Sequence, residues 1–193
     1  MEQSRVAFDV QRLIENLGEL PEPVAEPFLI VVSGLPGTGK SYFCHQLAKR
    51  LPAIILESDV LRKALFSSPN YSAPESAHLF RVCHHLMESL LKKGISLIFD
   101  ATNLSERHRE HLYSITYRLG IKLVLVRVEA PPQLVYERLK DRGESLECKS
   151  DADWAVYQKM KPQVEKIRRN HYVVDTSRDI TPVLNKIVRV VSR

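Results

Sequence analysis

The chain has 193 residues, 44% of them apolar and 26% charged, and a formal net charge of +5 at pH 7. That length predicts one domain with a substantial core, of ordinary soluble composition, and the modest positive charge suits an anionic substrate. The sequence lacks an apolar run long enough to span a membrane, an apolar signal region in its opening "MEQSRVAFDVQRL", and a block of like charges typical of a nucleic-acid tail, so a cytoplasmic, membrane-free protein is expected.

Taken in chain order, Val6, Val10, Leu13, Ile14 and Leu17 form a helical stripe that Gly18 can stop, and Pro21, Pro23 and Pro27 punctuate a linker. Residues 1–27 thus read as an N-terminal helix with a Pro-rich linker, packed on the domain or held for a partner, and residues 28–193 as the main domain. "FLIVVS", Phe28 to Ser33, is a short apolar run of buried-strand type. Directly after it, Gly34, four residues and then Gly39-Lys40-Ser41 give the G-x-x-x-x-G-K-[ST] spacing of a phosphate-binding loop (P-loop). Glycines let backbone N–H groups converge on an anion, so Gly34, Gly37, Thr38 and Gly39 are the expected cradle. Lys40 offers a point charge to the outer phosphates and Ser41 a hydroxyl to Mg²⁺. The stripe Phe43, Leu47, Leu51 predicts a helix whose positive end faces the same place.

Further apolar runs predict strands at Ala53–Leu56, Ile95–Phe99, Ile121–Val128 and Tyr172–Val174. Between and after them, helices are expected over about 59–67, 74–93, 105–119, 132–142, 152–168 and 180–191. This alternation predicts a five-stranded parallel sheet covered on both faces, a P-loop three-layer α/β/α sandwich, with ligands beyond the carboxyl ends of the strands. Those ends hold the remaining candidates. Asp59 and Arg62, three apart, share one side of a helix, and Asp59 suits a base or a metal-organising carboxylate as well as it suits a helix cap. Asp100 ends the buried "LIF" run where a carboxylate near the metal is useful, followed by Thr102 and Asn103, while Asn103 or Ser105 could instead cap the next helix. Arg138 and Arg142, four apart before a polar loop, could close over ATP, or pair with Glu137 and Asp141 on a solvated face.

Other chemistry-bearing residues read as packing. Cys44, Cys83 and Cys148 show neither metal spacing nor a disulfide framework. His84 and His85 diverge on a helix, and His108 and His111 can share a face without a visible third ligand. Trp154 and Tyr157 read as core side chains.

The ordered set "GLPGTGKS", "SDVLR", "KKGISLIFDATN", "ERLKDRGES" and "SDADWAVYQKMKP" resembles the P-loop kinases of the polynucleotide 5′-kinase and zeta-toxin-like group, over about residues 28–177. The resemblance implies an arginine-bearing lid, MgATP as phosphoryl donor, and an acceptor hydroxyl on a polynucleotide 5′ end or a small molecule. It implies that Lys40 and Ser41 engage phosphate and Mg²⁺, that Asp59 is the general base, and that Arg62 grips an anionic group on the acceptor. Asp100 is implied to lie near the metal, Arg138 and Arg142 to act from the lid, and Thr102, Asn103 and Arg107 to shape the acceptor side. The N-terminal helix is outside the family pattern, and the phosphatase motif of the bifunctional repair enzymes is absent. A P-loop ATPase or switch acting on a partner without an acceptor is the alternative function.

Overall fold

The computed structural model describes residues 2–103, 105–143 and 152–192. Five strands, β1 (Phe28–Ser33), β2 (Ala53–Glu57), β3 (Ser96–Asp100), β4 (Lys122–Glu129) and β5 (Tyr172–Asp175), form one parallel sheet in the order β2-β3-β1-β4-β5. β1 lies at the centre because it is buried along its whole length, and all six of its side chains are apolar or small. Alternation along it divides the core. Leu29 and Val31 join Leu97, Phe99 and Leu125 on one face, and Ile30 and Val32 join Ile98, Val124 and Val126 on the other.

Helices cover both faces, giving the expected three-layer α/β/α arrangement. On the first face lie α1 (Glu2–Asn16), α3 (Ser58–Leu65), α4 (Ala73–Lys92) and α5 (Glu106–Leu119). α2 (Lys40–Ala48) and α8 (Thr181–Val191) cover the second. α1 packs along α4, burying Val6 and Leu13, and Asp9 meets His78 Nε2 at 2.7 Å. α6 (Pro132–Gly143) and α7 (Trp154–Met160) make a small separate cluster of Val135, Leu139 and Tyr157 beside the P-loop residue Leu35. There Trp154 stacks on Tyr157 at 4.8 Å and meets Tyr136 edge-on at 5.2 Å, so both aromatics expected to pack do so.

One predicted element differs. The helix expected over 152–168 ends at Met160, continues as a 3₁₀ turn over Lys161–Gln163, and is extended from Val164. Pro162 is the cause: it lacks the N–H that a continuing helix needs, and its ring crowds the preceding turn.

Candidate active site

β1 delivers the chain to the P-loop, and the segment after β3 fixes that delivery. Gly34 N–H donates to Thr102 O at 3.1 Å, and Ser33 Oγ donates to Thr102 O at 2.9 Å and Asn103 O at 3.2 Å. Asn103, buried and at φ 47, donates from Nδ2 to Val32 O at 3.0 Å and Ala101 O at 3.3 Å. Asparagine is among the few residues that adopt this left-handed conformation readily. Thr102 and Asn103 thus tie two strand ends together, and the Asn103 amide nitrogen is spent on backbone.

The P-loop glycines sit where side chains cannot. A Cβ on Gly34 would run into the Val128 carbonyl oxygen. Gly37, at φ 76, lies against Val135 and Leu139 of α6, and Gly39, at φ 92, lies against Thr176 and is the N-cap of α2. The Leu35 carbonyl accepts from Thr38 Oγ1 at 2.7 Å and from Lys40 Nζ at 3.1 Å, so the lysine arches back over its own loop. The loop therefore leads from the end of β1 into the first turn of a helix, with Lys40 and Ser41 opening that turn, an arrangement that turns peptide N–H groups and the positive end of the helix toward an anion.

Carboxylates flank this loop. Asp100, 5% exposed, ends β3 and stands in register with Val32 on one side and Glu57 on the other. Asp59 lies in the first turn of α3, directly beyond β2; the N-cap there is Glu57, with no side-chain cap bond among the described residues. The Cys44 thiol of α2 is pushed well above its ordinary value by burial and by Asp100 and Glu57, against an opposing effect of Lys40. Cys44 is thus a protonated packing residue. The capping alternatives for Asp59 and Asn103 are not what the chain uses. Ser105 is the N-cap of α5 and makes no side-chain cap bond among the described residues; Glu165 supplies the anion, accepting from Glu106 N–H at 2.6 Å.

The remaining candidates are placed as follows. Arg62 is buried in an ion pair with Glu75. Arg107 is exposed at the start of α5. Arg138 reaches across to Thr176, donating from Nη1 to Oγ1 at 2.8 Å and from Nη2 to the carbonyl at 3.1 Å. Arg142 belongs to α6, but its side chain, like residues 144–151 with Cys148, lies outside the described residues.

Three residues that hold the site together were not anticipated. Thr176 follows β5, donates from Oγ1 to Thr38 O at 2.6 Å and from N–H to Glu129 O at 3.0 Å, and, through Arg138, joins the P-loop and β4 to α6. Beside it a groove of about 220 Å³, lined by Tyr42, Gln46, Arg50 and Leu184 among others, runs between α2 and α8. Arg109, 1% exposed, donates to Asn103 O, to Glu106 Oε2 and to the carbonyls of Glu165 and Lys166. Glu75 completes the third network. Only Glu75 left a local signal: "SAPE", Ser72 to Glu75, is a capping-box spacing.

The histidines come closer together than their spacing suggested. His84 of α4 lies 5.1 Å from His111 of α5, ring centre to ring centre, and His108 lies 4.7 Å from Phe80. Among the described residues no group of three or more His, Cys, Asp or Glu is arranged to hold a metal, and no helix is long and apolar enough to cross a membrane.

Comparison with known proteins agrees with this architecture. The chain is 28% identical over 123 residues to an L-seryl-tRNA(Sec) kinase of Methanococcus maripaludis, covering 61% of this chain and 47% of that protein, so it spans about half of that relative's length. It is 30% identical over 115 residues to an adenylyl-sulfate kinase of Paraburkholderia xenovorans, covering 57% and 63%. The structure of the Mycobacterium tuberculosis APS kinase in complex with AMPPNP and APS shares the fold, with a TM-score of 0.64 at 19% identity over 89% of this chain and all of that one. The family model AAA_33, an AAA domain, matches residues 29–167, from the second residue of β1 to the segment that caps α5, and the chain belongs to that family of P-loop kinase folds.

Proposed function

We propose that the protein is an ATP-dependent phosphotransferase of the polynucleotide 5′-kinase and zeta-toxin-like group, moving the γ-phosphoryl group of MgATP to an acceptor hydroxyl on a nucleic acid 5′ end or a small molecule. The observation that carries this reading is the pair of carboxylates at the carboxyl ends of β2 and β3, Asp59 in the first turn of α3 and Asp100 as the last residue of β3, at the same end of the sheet as a P-loop with Lys40 and Ser41 at its helix start.

In this reading the cradle of Gly34, Gly37, Thr38 and Gly39 holds the phosphates, and Lys40 neutralises the outer ones. Ser41 and Asp100 are the residues that would hold magnesium, which would offset negative charge on the phosphates. Asp59 accepts the hydroxyl proton as the acceptor oxygen bonds to the γ-phosphorus and the bond to the departing ADP breaks. Arg138 and Arg142 stabilise charge on the transferring group from the lid, and Arg62, Thr102, Asn103 and Arg107 border the acceptor. The kinase relatives support the donor half of this reading; for the acceptor, the support is the resemblance of "SDVLR" and "FDATN" to the motifs of that group.

The test is a γ-labelled ATP screen against 5′-hydroxyl oligonucleotides, nucleosides, sugars and other small alcohols, run with wild type and Asp59→Asn. The substitution is nearly isosteric and removes only basicity and charge. Acceptor labelling is expected with wild type and is expected to fall by about 10²- to 10⁴-fold in Asp59→Asn, with MgATP affinity preserved. ATP hydrolysis that no acceptor stimulates would favour an ATPase instead.

A further inference from the structure

The connection between α3 and α4 carries a network that the proposed reaction leaves unexplained. Arg62, 6% exposed, faces Glu75, 8% exposed, across an ion pair. Glu75 also accepts from Asn70 N–H at 2.8 Å and Tyr71 N–H at 3.2 Å. The second Arg62 nitrogen donates to Ser76 Oγ at 3.2 Å, and its guanidinium lies 4.7 Å from the Tyr71 ring centre. Tyr71 is at φ 55, a left-handed conformation that non-glycine residues seldom adopt. Successive peptide N–H groups converging on one carboxylate, with a guanidinium opposite, are how proteins hold a bound anion. Here the anion is the protein's own. Burial raises the Glu75 pKa, but the Asn70 N–H, Arg62 and the Tyr71 N–H outweigh it and hold the carboxyl below its usual range.

Resting on the phosphotransferase reading above and narrowing its acceptor to the small-molecule case, we propose that Glu75 fills the anion seat beside Arg62 and thereby restricts the acceptor to hydroxyl compounds with no phosphate or carboxylate close to the reacting hydroxyl, which excludes a nucleic acid 5′ end with its 3′-phosphate. Arg62 follows the proposed base by one helical turn, so its seat lies on the acceptor side. An acceptor phosphate could pair with Arg62 only by expelling Glu75, and that would strand a buried carboxylate without its guanidinium and N–H partners. The arginine that the family resemblance assigns to gripping an acceptor anion has, in this chain, both terminal nitrogens engaged, by Glu75 and Ser76, while its buried Nε has no hydrogen-bond partner among the described residues.

Phosphate binding tests the seat without relying on turnover. Inorganic phosphate is titrated calorimetrically into protein saturated with MgAMPPNP, so that every phosphate position of the P-loop is filled, using wild type, Glu75→Ala, Glu75→Gln and the double variant Arg62→Ala/Glu75→Ala. Wild type is expected to bind no phosphate beyond the P-loop; Glu75→Ala is expected to gain a site at least about tenfold tighter than any wild-type binding, and the double variant to lose it. Glu75→Gln keeps the side-chain shape and an oxygen for the loop N–H groups, and is expected to gain a weaker site; it decides the matter if the alanine variant does not fold. In turnover, thymidine and thymidine 3′-monophosphate serve as matched acceptors, and Glu75→Ala is expected to shift the kcat/KM ratio toward the phosphorylated one by about tenfold or more. Phosphate bound by wild type and lost in Arg62→Ala, or folded Glu75 variants that gain no site, would overturn the assignment. A phosphate site gained by Glu75→Ala with neither thymidine compound phosphorylated would uphold the seat and count against a nucleoside acceptor.

Discussion

At the scale of single residues, the site is defined by where charge and space are allowed. Lys40 spends one hydrogen bond on the Leu35 carbonyl at 3.1 Å, and a lysine on a flexible stem can exchange that neutral acceptor for phosphate oxygens. Lys40→Ala removes the charge opposite the outer phosphates and leaves the loop backbone intact. Turnover should fall by on the order of 10³-fold or more and ATP binding should weaken, while the thermal midpoint without nucleotide stays close to wild type. Steady-state kinetics and nucleotide titration on the folded variant check this; unimpaired turnover would remove Lys40 from the reaction. The glycine at 39 makes a complementary point. Its left-handed φ disfavours any side chain, and a Cβ there would press on the Thr176 methyl and hydroxyl at 3.1 Å, so a substitution strains the helix start and shifts Thr176.

At the scale of elements, the acceptor side depends on how α5 begins. Arg109 is fully buried, yet its donors go to Asn103 O at 2.6 Å, to Glu106 Oε2, and to the carbonyls of Glu165 and Lys166 at 3.1 and 3.2 Å. It holds the segment after β3 against the segment that follows the 3₁₀ turn. Arg109→Met keeps much of the packing volume but strands those acceptors, and should cost about 2–5 kcal/mol in urea unfolding. A loss below about 0.5 kcal/mol would mean that the segments hold without it. The same contrast explains what could be read from sequence. The five strands, the P-loop and Asp100 are legible because each signal is contiguous: an apolar run, a fixed spacing, a carboxylate ending a buried run. Thr176 and Arg109 gain their roles from partners elsewhere in the chain, 138 residues away for Thr176 and Thr38 and 56 for Arg109 and Glu165, and no local pattern encodes such pairings, whereas Glu75 shows locally only its capping-box spacing from Ser72 and not its pairing with Arg62, 13 residues away. The helix expected through 168 failed for the opposite reason: its periodicity was local and real, but Pro162 overrides periodicity.

At the scale of the whole molecule, the α4–α5 seam sets the response to acid. Burial lowers the His84 pKa from 6.5 to about 4, with further lowering from His111, His108 and His85, and His108 is lowered in the same direction by burial, His111 and Arg107, against Glu165. Nearby, Glu88 is engaged by Lys92 at 2.9 Å and Arg118 at 3.0 Å. Between about pH 6.5 and pH 4 the unfolded chain therefore binds a proton at His84 that the folded chain refuses. Stability is then full above pH 6.5 and lost as pH falls toward 4, by roughly 3 kcal/mol from this residue over the full interval. Glu75 adds a second loss at lower pH, because its carboxyl is held below the usual range and its pairing with Arg62 ends only when it is protonated. The two contributions separate by window. His84→Gln keeps a polar side chain of similar size and cannot be protonated, so the fall in thermal midpoint between pH 7 and pH 5 should shrink markedly, while the further fall below pH 4 remains. Glu75→Gln should show the converse, a lower midpoint at pH 7 and a shallower decline below pH 4. Thermal unfolding of the three proteins across pH 7 to pH 3 measures both. An unchanged pH 7 to pH 5 decline in His84→Gln would assign the acid response to groups other than the histidine seam.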